Sequence, residues 1–285
     1  MIPIYIPSYN RPLSIKTTKW LDESHLKYKV LLHSEKCKYE YIKAGIVQEN
    51  NIIVTNAKIG ITNQRNYIMD NLAKKNEWFI TLDDNIEGFK RVVDKYYYTK
   101  KILPVENSMI TQKDFNQKIN ALEFIELVIE DIKIAESINA TYGGFATVDN
   151  YWFNNKKYKA VGYVISKAAY IKYTGYRYDE NILAMDDYGY TADCLLRDGC
   201  VLINSWIKPI NKHYESGGIG TYEERLPKKI IDAKYLMSKF PNLFRYKLKK
   251  GCHPKAEIQI RFTNPNQIND WRKKIIYEKN RLNQG

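Results

Sequence analysis

The chain has 285 residues, 44% of them hydrophobic, and a net charge of +13 from 45 Lys and Arg against 32 Asp and Glu. That length buries a sizeable core and suits one large catalytic domain. The four cysteines, Cys37, Cys194, Cys200 and Cys252, form no CxxC pair, which argues against a zinc cluster or a disulfide framework. No apolar run approaches a membrane span and the first residues lack a basic leader, so a cytosolic protein without a transmembrane segment is expected.

In chain order, strands alternate with helical patterns over the first two hundred residues, which predicts a mostly parallel sheet with helices on its faces. "IPIYIP" reads as a strand and stops in the loop Pro7, Ser8, Tyr9, Asn10, Arg11, Pro12, through which no helix can continue. "YKVLLHS" and "NIIVTNA" read as the next strands, with a short helical stretch near "KYEYIKAG" between them. "GITNQRNYIMDNLAKKN" reads as a helix with Ile61, Ile68 and Leu72 on one face and Thr62 or Asn63 as its cap.

The strand "EWFITL" then ends abruptly in Asp83, Asp84 and Asn85. Adjacent carboxylates repel unless a cation or hydrogen-bond donors compensate them, and strand ends are where ligands gather in α/β sheets. The same three residues also suit the N-cap of a following helix.

Residues Asp114 to Ile138 give the clearest long amphipathic helix, followed by the strands "TYGGFA" and "AVGYVISKAAY". The loop between those strands carries Tyr151, Trp152 and Phe153, an acceptor platform or a buried staple. "YDENILAMDDYGYTADCLLRDG" presents a second acidic pair, Asp186 and Asp187, opening a helix that ends at Gly199. Asp186 also suits the cap of that helix. "VLINSWIKP" reads as a strand leading to His213, and "ESGGIGTYEER" as a lid or a plain linker. From about Leu226 the chain reads as helical pieces with turns at Pro241 and Pro254.

Charge is unevenly placed. From Lys228 onward there are 15 basic and 4 acidic residues, so most of the surplus lies there. A basic block interleaved with Phe244, Tyr246, Phe262 and Trp271 suits a polyanion such as nucleic acid, with aromatics to stack on bases; an anionic membrane face or a solvated lysine-rich tail has the same composition.

Oxygen-rich clusters such as Asp83-Asp84-Asn85 and Asp186-Asp187, with His213, suit magnesium or manganese and hence diphosphates. Arg11 and Arg65 are candidates for phosphate in fork geometry, and Asp187 for a general base across the cleft.

Four segments in this order, "IPIYIPSYNRP", "GITNQRNYIMDNL", "FITLDDNI" and "MDDYGYTADCLLRDG", resemble glycosyltransferases of the GT-A fold over roughly the first 220 residues. More narrowly, "LDDNI" with this opening and the basic C-terminal part looks like the phage TET-associated glycosyltransferases, which are predicted to decorate hydroxymethylated bases in DNA.

The resemblance implies a Rossmann-like mixed, mostly parallel sheet flanked by helices at 1–225, with a basic helical extension at 226–285. It implies a nucleotide-diphosphate sugar bound by Pro7, Ser8, Tyr9, Asn10 and Arg11, with Arg65 beside the diphosphate and Asp83 at the ribose or metal. Mn2+ or Mg2+ would lie at Asp84 and Asn85, with His213 as a further ligand, and Asp186-Asp187 would be the catalytic pair. Asn85 departs from the acidic third position of the family's element, and Asp186 stands where Glu is common.

Three other readings of the same features are open: an acceptor among polysaccharides or lipid-linked sugars, a non-catalytic DNA-binding protein on this scaffold, and a nucleotidyltransferase.

Overall fold

The structure is a computed structural model and describes residues 2–92, 116–146, 156–211, 221–247, 253–262, 264–270 and 273. Its centre is an eight-stranded sheet built from β1 (Ile4–Pro7), β2 (Lys29–Leu32), β3 (Ile52–Val54), β4 (Trp78–Leu82), β7 (Tyr142–Phe145), β8 (Tyr158–Lys159), β9 (Ala168–Lys172) and β10 (Leu202–Asn204). Their order is β3-β2-β1-β4-β9-β7-β10-β8. β8 and β9 run against the other strands, so the sheet is mixed and mostly parallel, as expected.

Successive strand residues point to opposite faces, and both faces are apolar. In β1, Ile4 and Ile6 pack on one side and Tyr5 on the other; in β4, Ile80 and Leu82 oppose Phe79. The first side is covered by α1 (Thr17–Asp22), α2 (Glu35–Lys43) and α4 (Ala121–Ser137), the second by α3 (Ile61–Tyr67), α5 (Asp186–Asp198) and α6 (Tyr222–Lys239). Among the described residues no helix is long and apolar enough to cross a membrane.

Several expected elements change. The segment after Asp83-Asp84-Asn85 is not a helix but β5 (Ile86–Val92), which pairs with β6 (Asn116–Ile119) and β11 (Ile207–Asn211) in a second, antiparallel sheet. The long helix starts at Ala121 rather than Asp114, because the Asn120 side chain and Glu123 form a capping box that fixes its first turn. The helix from Gly60 is shorter than expected. Neither Thr62 nor Asn63 caps it; Gly60 is the N-cap residue, and the helix relaxes into a π turn at Ile68–Leu72.

"AVGYVISKAAY" contributes only its end to a strand, and "VLINSWIKP" is two strands in different sheets, separated at Ser205-Trp206. Past α6 the chain is not wholly helical: β12 (Phe244–Tyr246) and β13 (Ile258–Ile260) pair antiparallel, and Phe244, Ile258 and Ile268 join the core beneath α5 and α6. Phe244 is therefore a core residue and not a base-stacking one, whereas Tyr246 is exposed. The expected Gly199 stop is present, with Gly199 left-handed at φ 82°.

Candidate functional site

Parallel strands deliver their carboxyl ends to one edge of the sheet, and there a cavity of about 590 Å³ opens. Pro7, Ser8, Tyr9 and Arg11 enter it from the end of β1, His33 from β2, and Asp83, Asp84 and Asn85 from β4. Lys167 reaches it just before the reversed strand β9, Arg65 from α3, and Asp186 and Asp187 from the start of α5. The two acidic clusters, about a hundred residues apart in sequence, thus face one space. Asn10 does not line it; this exposed residue turns the loop with a left-handed φ of 52°. His213, Tyr151, Trp152, Phe153, Trp271 and the "SGGIG" run lie outside the described residues.

Three expected ligands are engaged with one another. Asp84 is 5% exposed; its Oδ1 accepts from Arg11 Nη1 at 2.6 Å and its Oδ2 from Ser8 Oγ at 2.6 Å. Tyr41 completes the knot, its hydroxyl accepting from the Arg11 backbone N–H at 3.0 Å and lying 2.7 Å from Ser8 Oγ. Asp84 and Arg11 therefore pin the β1 loop onto the end of β4 by a charge-assisted contact at the cavity's edge. Arg65 is likewise engaged: Nη1 with Asp186, Nη2 with the Ser166 carbonyl at 2.9 Å and with Asp83 Oδ1 at 3.4 Å. Both Arg65 and Asp186 are buried, so this pair holds α3 to α5. Met185, not Asp186, is the N-cap residue of α5.

Of the three residues expected around a divalent ion, Asp84 and Asn85 lie together at the end of β4 and line the cavity, and His213 is outside the described residues. Both oxygens of Asp84 already accept protein hydrogen bonds, and among the described residues no three His, Cys, Asp or Glu come together around a common point.

Asp187 is placed differently. It is half-buried, accepts from the Tyr163 hydroxyl at Oδ2, and accepts from the Tyr188 backbone N–H at Oδ1, 3.0 Å away. The Tyr163 and Tyr188 rings stack on each other with centroids 4.1 Å apart. Burial first, and the neighbouring Asp186 second, push its carboxyl up to about 7. A carboxyl poised there exchanges a proton readily near neutral pH. Burial also raises Asp83, with Arg65 opposing, and lowers Lys167, with Asp83 opposing.

Sequence reading missed Tyr163, Lys167, and the cations of α6 that line the same cavity, Arg225, Lys228 and Lys229. Only the last group had a signal, the basic block that begins at Lys228. No family model matches the chain, and no curated protein matches it.

Proposed function

We propose that the chain is a glycosyltransferase of the GT-A fold that moves a sugar from a nucleotide-diphosphate donor to a hydroxyl, favouring 5-hydroxymethylcytosine or a related 5-hydroxymethylpyrimidine in DNA. The observation that carries the reading is Asp187, a half-buried carboxyl pushed up to about 7, facing the cavity at the sheet's carboxyl edge. In the step proposed, the acceptor hydroxyl oxygen bonds to the anomeric carbon and its proton passes to Asp187. The bond from that carbon to the diphosphate oxygen breaks, and the nucleoside diphosphate leaves.

The chain supplies each remaining requirement from named residues. Lys167, Arg225 and Lys228 line the cavity and offset the leaving diphosphate's charge, beside Lys229, which pairs with Glu257 at 2.5 Å. Tyr9 and His33, with ring centroids 5.1 Å apart, offer an aromatic wall for a nucleobase at the end of β1. Exposed Lys234, Arg245, Lys255 and Arg261 supply phosphate contacts along an acceptor strand, so affinity falls with salt. Mn2+ or Mg2+ held by Asp84 and Asn85 would supply further positive charge to the diphosphate.

The test is mass spectrometry of nucleosides from hydroxymethylated DNA incubated with the protein and a panel of nucleotide sugars, with and without manganese. A hexose or pentose mass added to one base is the expected result. Hydrolysis of a nucleotide sugar without a change in any base would keep the transferase and move the acceptor to a polysaccharide or lipid-linked sugar. No turnover and no binding of any nucleotide sugar would overturn the reading.

A further inference from the structure

Asp232, in the middle of α6, is fully buried, yet among the described residues no cation pairs with it. Its carboxylate instead accepts from three consecutive backbone N–H groups of the segment before α5: Leu183 at 3.1 Å, Ala184 at 2.6 Å and Met185 at 3.0 Å. Met185 is the N-cap residue of α5, where no side-chain cap bond is made, and Leu183 and Ala184 are the two residues that lead into it. Asp186 and Asp187 follow immediately. A second grip lies one and two turns further along α6, where the Tyr235 hydroxyl and Lys239 Nζ donate to Asp179 Oδ2 at 2.7 and 2.8 Å. From the other side, Asn66 of α3 exchanges hydrogen bonds with the backbone of Tyr178, and Thr62 Oγ1 donates to the Ile182 carbonyl at 3.3 Å.

We infer that Asp232 is a positioning residue for the acidic pair, and that α6 belongs to the catalytic unit rather than to a separate acceptor-binding appendage. The inference rests on the reading of Asp187 as the proton acceptor. A hydrophobic residue would pack α6 against the core as well, so burying a carboxylate at this position makes sense only for the three amides it orders. The geometry has a consequence for the acceptor: Arg225, Lys228 and Lys229, one to two turns before Asp232, line the cavity from the same helix. The cationic wall and the acidic pair therefore move as one body.

Asp232→Asn keeps the shape and removes the charge, leaving one acceptor oxygen for three amides. In the full chain, amide exchange read by mass spectrometry should quicken at residues 183–187 by about tenfold or more while other segments keep their rates. Turnover should fall about a hundredfold, the scale of an ångström's misplacement, with the KM for nucleotide sugar within about twofold. Local quickening with unchanged turnover would overturn the proposal, and so would loss of turnover matched by uniform quickening across the chain. If Asp232→Asn does not fold, Asp232→Glu, which keeps the charge and shifts the carboxylate by one methylene, is read in the same way.

Should the unaltered protein turn over no nucleotide sugar, the proposed function fails on its own. Positioning is then read from the carboxyl titration of Asp187 by NMR, expected to move by about half a pH unit or more in Asp232→Asn. An unmoved midpoint with unchanged local exchange would overturn it.

Discussion

Replacing Asp187 by Asn should make the protein more stable at alkaline pH and, under the proposed function, remove its activity. The folded-state carboxyl stands at about 7, against an ordinary value of 3.8. Between those values the folded state holds a proton that the unfolded chain has released, so wild-type stability falls as pH rises through that window and stays lower above it. The full linkage is about 4 kcal/mol. Asp187 is only half-buried and shares its charge repulsion with Asp186, so about 1–3 kcal/mol of it is expected to survive.

Asparagine keeps the local bonding: its oxygen can accept from the Tyr188 N–H, and its amide can donate to the Tyr163 hydroxyl. The gain over wild type should therefore be near zero at pH 4 and grow to roughly 2–10 °C in Tm at pH 8. Calorimetry across pH 4 to 8 reads it directly. A variant no more stable than wild type at pH 8 would mean that the fold welcomes the charge, and the assignment of Asp187 as a poised base would fall. Under the proposed function the same variant loses about 10²- to 10⁴-fold in turnover. Opposite signs for stability and activity mark a group kept for chemistry.

Tyr163→Phe removes the hydrogen bond that favours the charged form of Asp187, so the rising limb of a pH–rate profile should move to higher pH; a limb that stays or moves down refutes that role. Arg65→Met leaves Asp186 buried without its cation and should cost about 3–5 kcal/mol by denaturant melts, with a loss under 1 kcal/mol counting against the pair as the link between α3 and α5. Asp131, 1% exposed, is pushed up to about 7 by burial, with the Asn204 amide donating to both its oxygens. Its folded state also holds the extra proton between pH 4 and 7, so Asp131→Asn should flatten the loss of stability across that window; an unchanged slope contradicts it. Gly143→Ala drives a methyl into the Tyr170 ring in the middle of the sheet and should cost about 1–3 kcal/mol; a neutral result would show that the ring can yield.

The order of strands and helices around the sheet was legible because it rests on local pattern. Apolar runs such as "YKVLLHS" and "EWFITL" form buried strands, Ser34 caps α2, and Gly199 stops α5. The two acidic clusters were legible for the same reason, since each interrupts or follows an apolar pattern where a core element ends. Local pattern did not separate β10 from β11, whose residues belong to two sheets, nor did it find β5 and β6, which exist only through pairing with one another and with β11. Strand identity of that kind is set by non-local partners.

Which charged residues are spent on each other was also invisible in the chain. Arg11 and Asp84 lie 73 positions apart, Arg65 and Asp186 lie 121 apart, and Asp232 reaches amides 47 to 49 residues before it. A carboxylate and a guanidinium look alike in sequence whether they face a ligand or one another. Burial removes water as the alternative partner, so tertiary packing alone decided that Asp84 and Asp186 pair with arginines at the cavity's edge, that Asp232 holds backbone amides, and that Asp187 meets the cavity beside Tyr163.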